Sequence, residues 1–261
     1  KSPAGALPAF AELPEPTLPS IDGGYNLLIT GIGGTGVVTL GAIVAMAAHL
    51  DGHAASALDV TGLAQKYGAV MSHVRVAASK AEIKSARLAA GEADLVVGCD
   101  LIVSASVEAV STMKTGTTRV AVNTEVSPTI AFAKDPNWSA NGDALLERIR
   151  AAAGAGDTVG LAATQLATAL IGDAIASGMF LLGYVWQRGW LPVSADAMQR
   201  AIELNGVAVE SNTQAFLWGR RAAADLTAVE AVARPSNVVR FTPSATRKTA
   251  DLIAHRAGEL T

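Results

Sequence analysis

The chain has 261 residues, with 20 Lys plus Arg against 23 Asp plus Glu, a net charge of −3 and a pI near 5.8, so it lacks the basic stripe that a nucleic-acid footprint requires. Only 16% of its residues are charged while 50% are hydrophobic, and mean hydropathy is +0.34, which leaves little polar surface to cover a free monomer. Its single cysteine, Cys99, can neither close an internal disulfide nor hold an iron–sulfur cluster, and it fits a reducing, cytoplasmic setting.

Residues 1–24 carry Pro3, Pro8, Pro14, Pro16 and Pro19 among small and acidic residues and read as an extended linker. No basic segment followed by an apolar core marks a secretory leader. Residues 31–48 and 161–186 are apolar, but glycines break the first and Gln165 and Asp173 the second, so neither is expected to span a membrane. Residues 25–30 predict a strand, followed by a glycine turn and a helix over 37–49. Further strands are predicted at 54–58, ending at Asp59, and at 95–97 and 119–122. Alternation of this kind implies a mainly parallel sheet covered by helices. Between 69 and 77, Val70, Ser72, Val74 and Val76 fall on one face and Met71, His73 and Arg75 on the other. No crossover helix precedes this strand, so it is expected to run antiparallel.

After residue 142 the pattern turns helical, over 143–153, 157–188 with a break near Gly172, 194–204 and 209–226. The expected architecture is α/β, a three-layer, Rossmann-like, mainly parallel but mixed sheet flanked by helices, with a helical C-terminal part. One domain is expected over 25–228, its sheet part at 25–142 and its helical part at 143–228. Residues 229–261 read as a linker and the start of a truncated following domain, with a helix beginning near Ser244. Lys1 in place of Met, and the uncapped C-terminal helix, both suggest that neighbouring domains flank this one.

GIGGTG at 31–36 follows a predicted strand and opens a helix, and Asp59 lies 23 residues beyond Gly36, the context of a dinucleotide fingerprint. Glycines admit a tight turn, and a helix start offers unpaired N–H groups to an anion. Gly31, Gly33, Gly34, Thr35 and Gly36 are therefore the candidate cofactor-binding residues. A phosphate site, a true NAD or FAD site and mere close packing of helix on sheet all remain open at this point, and Asp59 reads equally as a ribose ligand or a helix cap. Arg75, with Lys66 nearby in sequence, is a candidate phosphate contact; a structural ion pair or a domain-contact patch is the alternative. His73 is expected to be a satisfied interior or interface histidine rather than a proton shuttle. His49, His53, His73 and His255 form no acid–base constellation, so no catalytic or metal-binding residue is assigned.

On the helix after the loop, Val37, Leu40, Val44 and Ala47 make one stripe while Val38, Ile43 and Met46 occupy other faces. Phe180, Leu181, Leu182, Tyr184, Val185 and Trp186 cluster likewise, with Gly172, Ala176 and Gly183 able to admit a close neighbour. Helices apolar all round are covered on several sides, and the expectation is a surface covered by another domain or by a second copy in a homo-oligomer.

The segment DVTGLAQKYGAVMSHVR at 59–75, with GIGGTGVVT before it, resembles the gamma domain of bacterial indolepyruvate:ferredoxin oxidoreductases. VNTEVSPT at 122–129, FLLGYVWQRGWLP at 180–192 and AIELNGVAVESNTQAFLWGR at 201–220 extend the resemblance in order over residues 25–220. It implies an oxidoreductase that decarboxylates an arylpyruvate to an acyl-CoA and passes electrons to ferredoxin. In that family thiamine diphosphate and iron–sulfur clusters sit on other domains or subunits. This chain carries neither signature: the nearest approach to the thiamine motif is Gly172-Asp173-Ala174. The resemblance thus implies a domain that contributes to a coenzyme A site and to assembly with its partner domains, and that is inactive alone. Tyr67 departs from the family, which has a second glycine there, and puts phosphate approach by that segment in doubt. An independent NAD- or FAD-binding module and a purely structural assembly domain are the competing readings.

Overall fold

The computed structural model describes residues 13–62, 68–126, 141–154 and 158–234. Lys66 and Tyr67, and the helix expected from Ser244, lie outside the described residues. Six strands form one sheet: β1 (Tyr25–Ile32), β2 (Ala54–Thr61), β3 (Ala69–Ala77), β4 (Leu95–Gly98), β5 (Arg119–Asn123) and β6 (Thr158–Leu161), in the order β2-β3-β1-β4-β5-β6. β1, β4, β5 and β6 are parallel neighbours, and β3 runs antiparallel to both β1 and β2. The expected mixed α/β sheet and the antiparallel β3 are both present.

Helix α1 (Val37–Leu50) follows β1. Short α2 (Leu101–Ser104) and α3 (Val107–Ser111) follow β4, and α4 (Gly142–Ala153) precedes β6. Then come α5 (Ala163–Ile171), α6 (Ser177–Gln187), α7 (Ala195–Asn205), α8 (Val209–Ala224) and α9 (Leu226–Ala233). Local chemistry explains many of the starts. Asp100, Ser106, Asn141, Ser194 and Asp225 each accept a hydrogen bond from a first-turn N–H of the helix that follows. Asp51, just past α1, also accepts from the backbone N–H and the hydroxyl of Ser194, both at 2.6 Å, which ties the end of α1 to the start of α7.

The sheet is buried on both faces, so the central strands read as nearly continuous apolar runs. One face packs α1 and α5 to α9 over Leu27, Ile29, Val74 and Val97, and the other packs α2, α3 and α4 over Leu28, Met71, Val96 and Val120. Gly41 lets α1 close onto β3, since a Cβ there would overlap Ser72.

Three expectations need correction. The helix read over 157–188 hides β6, which extends the sheet past residue 142, so a division there cuts through the sheet; Thr158 and Val159 are β-branched and pair with β5. The helix read over 209–226 ends at Ala224, and Asp225 caps α9, whose Val229 is fully buried in the main core; a boundary at 229 therefore cuts a packed helix. Finally, the apolar run 180–186 is covered by this chain's own helices, with Phe180, Leu181, Leu182, Val185 and Trp186 all within 1% of full burial, so it offers no partner surface. Ile43 is buried as well, and the apolar residues left exposed on α1 are Val38, Met46 and Leu50.

Candidate functional site

The glycine loop joins β1 to α1 and divides into two kinds of glycine. Gly31 is a packing glycine: a Cβ there would stand 2.5 Å from Thr35 Oγ1 and 2.7 Å from Val37 Cγ2. Gly34 (φ 99°) and Gly36 (φ 78°) lie in the left-handed region, and a Cβ on either would meet nothing within 4 Å. These two turn bare backbone towards open space, which only glycine does without strain.

Several donors of the loop are already engaged. Gly33 N–H donates to Gly68 O at 2.9 Å, fastening the loop to the residue before β3. Thr35 donates to Ile32 O from both its backbone N–H (3.1 Å) and its hydroxyl (2.8 Å), which closes the turn. No side chain caps α1, and Leu40 N–H is the first to bond back, to Gly36 O. The first-turn N–H groups of Val37, Val38 and Thr39 therefore have no acceptor within the helix and remain the donors an anion can use.

A small, solvent-open cleft of about 110 Å³ borders the loop, lined by Thr35 and Thr39, by Asp173 and Ile175, and by Ser211 and Asn212. The start of α8 faces the same cleft, also without a side-chain cap, at Ala208. Among the described residues Ala208 is the one non-glycine with positive φ (44°, ψ 43°). Asp173, in the nearest match to the thiamine motif, accepts from Ile175 N–H at 2.9 Å and caps a short turn before α6.

Arg75 is not part of this site. The register sets Ala69 opposite Ile32 but Arg75 opposite Asn26, so Arg75 lies six residues from the loop end of β1, about 20 Å away at the usual rise per residue. Its guanidinium donates to Asn26 Oδ1 (3.0 Å), Arg87 O (2.9 Å) and Glu92 Oε2 (2.5 Å). Glu92 also accepts from Ala89 N–H, and that bond, reinforced by Arg75, holds its carboxyl below the usual range. The structural ion pair is therefore the reading that holds. Asp59 is displaced too. It lies within β2, level with Ser72 of β3, and β3 intervenes between β2 and β1, which puts Asp59 two strand spacings, about 10 Å, from β1. The acidic residue of a dinucleotide fingerprint needs β2 next to β1, so the NAD or FAD reading loses its ribose ligand.

His73 is interior, 3% exposed, and its Nδ1 accepts from Leu88 N–H at 3.3 Å. Burial first, then Arg87 and Arg75, pushes its pKa below the ordinary value. A histidine with a depressed folded pKa contributes stability that is complete above the unfolded pKa of about 6.5 and is lost as pH falls below it. We expect the thermal midpoint to fall between pH 7.5 and 5.5, and His73→Leu to flatten that slope; an unchanged slope would remove His73 as its source.

Sequence reasoning missed two features. The cleft wall from α8, with Ser211 and Asn212, lies inside the segment 201–220, and these lining residues bear no charge to flag them. Asp100, 1% exposed at the end of β4, is disguised as one more apolar-run boundary. Cys99 beside it is fully packed, its thiol pushed up to about 12 by burial and by Asp100. Among the described residues no cluster of His, Cys, Asp or Glu could hold a metal, and no helix is long and apolar enough to cross a membrane.

The family described as Pyruvate ferredoxin/flavodoxin oxidoreductase matches residues 26–222. Indolepyruvate oxidoreductase subunit IorB of Pyrococcus horikoshii is 26% identical over 207 residues, covering 77% of this chain and 97% of that protein. Among solved structures, the gamma subunit of a keto/oxoacid ferredoxin oxidoreductase from Geobacter sulfurreducens superposes with a TM-score of 0.52 at 21% identity, over 77% of this chain and 98% of that one. The 2-oxoglutarate:ferredoxin oxidoreductase from Magnetococcus marinus, solved with 2-oxoglutarate, coenzyme A and succinyl-CoA bound, gives a TM-score of 0.57 at 16% identity, over 78% of this chain and 32% of that one. At such identities the structural likenesses establish the fold, and the match over 26–222 establishes the kinship: the chain belongs to the pyruvate ferredoxin/flavodoxin oxidoreductase family.

Proposed function

We propose that this chain is the gamma-type domain of a 2-oxoacid:ferredoxin oxidoreductase acting on an aryl 2-oxoacid such as indolepyruvate, and that its glycine loop holds a phosphate of coenzyme A. The observation that carries the reading is the uncapped start of α1, reached through two left-handed glycines that face open space beside the cleft. Bare backbone donors at a positive helix end suit a phosphate, and the cleft beside them opens to solvent, which leaves the rest of an extended molecule free to run outward towards a neighbouring domain. The name of the Pyrococcus relative supports the aryl substrate, and the Magnetococcus complex supports coenzyme A. Thiamine diphosphate and the iron–sulfur clusters belong to other domains or subunits, which also receive ferredoxin. This chain's part is to bind and orient the thioester-forming partner, and it is inactive alone. Val38 and Met46, 44% and 40% exposed on α1, suit contact with a neighbouring domain or a second copy.

The test is calorimetric titration of the full-length enzyme with coenzyme A. Gly34→Ala places a methyl where the phosphate approaches and should weaken binding tenfold or more, about 1.4 kcal/mol. Arg75→Ala should leave the affinity unchanged and lower stability by about 1 kcal/mol, since it breaks a partly exposed charged hydrogen-bond set. Unaltered affinity in Gly34→Ala would reduce the loop to packing and leave a structural assembly domain.

A further inference from the structure

β1 and β4 lie side by side and parallel, yet β1 runs on into α1 on one face of the sheet and β4 runs on into α2 on the other. Open α/β sheets take ligands in the crevice at the carboxyl ends of strands that diverge in this way. Three polar side chains are buried there. Thr30 and Ser104 share a hydrogen bond of 2.8 Å, and Ser104 donates onward to Asp100 O at 2.5 Å, so both hydroxyls are satisfied. Asp100 is satisfied only in part. Its Oδ1 accepts from Val103 N–H at 2.9 Å, whereas its Oδ2, shielded from solvent, has no hydrogen-bond partner.

No cationic side chain among the described residues pairs with Asp100, and burial raises its pKa. Capping α2 does not account for this arrangement, because one oxygen suffices for that and asparagine would cap equally well without a buried charge. An unpartnered buried carboxylate oxygen weakens a fold, and such groups persist where a task requires them. The location fits a task. Thr30 is opposite Gly98, and Cys99 N–H continues the pairing to Thr30 O at 2.7 Å. The strand ends there, and a Cβ on Gly31 would stand 3.2 Å from Cys99 Cβ, so the residue before Asp100 lies against the first glycine of the loop.

We infer that Asp100 is a ligand-recognition residue of this crevice, its free oxygen accepting a hydrogen bond from a hydroxyl or amino group of the molecule whose phosphate sits on the glycine loop. The inference rests on the phosphate reading of that loop. It adds a second point of attachment and requires the ligand to carry a hydrogen-bond donor as well as a phosphate. An oxygen with no competing partner discriminates well, because a ligand lacking the donor leaves it unpaired.

The experiment uses the full-length enzyme with coenzyme A as the probe, by calorimetry, alongside thermal unfolding. Asp100→Asn keeps the capping oxygen and replaces the free one with an NH₂ donor. Asp100→Ser keeps a cap and removes the free atom altogether. Both variants should bind coenzyme A at least tenfold more weakly, and Asp100→Asn should unfold at the same or a higher temperature. Unchanged affinity in both, with Gly34→Ala still weakened, would overturn the role of Asp100 and leave the loop reading intact. If Gly34→Ala also binds as the wild type does, both readings fall. Should Asp100→Asn bind normally while Asp100→Ser alone is weakened, Asp100 would be donating as the protonated acid, and the acceptor role would be wrong.

Discussion

Gly219→Ala and Gly183→Ala are each expected to destabilise the chain by about 3 kcal/mol or more, at or beyond the upper end of what overpacking a core costs. A Cβ on Gly219 would overlap the backbone carbonyl of Phe180 and lie 2.8 Å from Tyr184 N, and one on Gly183 would overlap the carbonyl of Phe216. The obstacle in both cases is helix backbone, which cannot rotate aside as a side chain can. α6 and α8 therefore touch main chain to main chain at two points, each supplying a glycine to the other. Relief would require the helices to separate, and separation would expose Trp186 and Phe216, whose rings lie 5.9 Å apart between them. It would also disturb the cleft, since Met179 lies on α6 and Ser211 on α8. For a chain of this size the loss corresponds to roughly 6–12 °C in thermal midpoint. Denaturant unfolding of each variant checks it, and a loss below 1 kcal/mol would mean that the helices are not in contact as described.

That close approach was half legible in the sequence. Gly183 inside an apolar run suggested a neighbour, but not that the neighbour is α8 of the same chain, because a helix apolar all round looks alike whether a partner or its own core covers it. Gly172 drew the same reading and turned out to be a left-handed helix end with nothing near it. The strand–glycine–helix start and the antiparallel β3 were legible because they rest on local patterns, a glycine turn and a period of two. β6 was not, because four residues of an outer parallel strand carry too little pattern to stand apart from the helix that follows. Arg75 was misassigned for a related reason. Alternation shows which face a strand residue occupies and says nothing of its height along the sheet, which is set by the pairing of residues 32 and 69. Asp59 failed likewise: spacing in sequence matched the fingerprint, while the strand order that gives the spacing its meaning is a long-range property. Asp100 was overlooked because a lone Asp between a strand and a helix is normally a cap, and only its second oxygen shows otherwise.

Within the loop itself, Gly31→Ala should destabilise the chain by about 1–3 kcal/mol, whereas Gly34→Ala should cost about 1 kcal/mol through left-handed strain alone. The difference arises from what each methyl meets. At position 31 it meets Thr35 Oγ1, Val37 Cγ2 and, at 3.2 Å, Cys99 Cβ; at position 34 it meets solvent. Thr35 cannot yield freely, because its hydroxyl and N–H both hold Ile32 O and thereby shape the turn. Removing that side chain should therefore recover part of the loss, so Gly31→Ala/Thr35→Ala should be less destabilised than the two single changes added together. Val37 and Cys99 limit the recovery, as both belong to the main core. The two glycines should also separate in binding. Gly34→Ala is expected to lose coenzyme A affinity in a protein close to normal stability, whereas Gly31→Ala should lose affinity only as far as the turn is displaced, and regain part of it with Thr35→Ala. Denaturant midpoints for the four proteins of the cycle, with coenzyme A titrations on the corresponding full-length enzymes, measure both. Strict additivity of the stability changes would show that Thr35 is not what Gly31 makes room for.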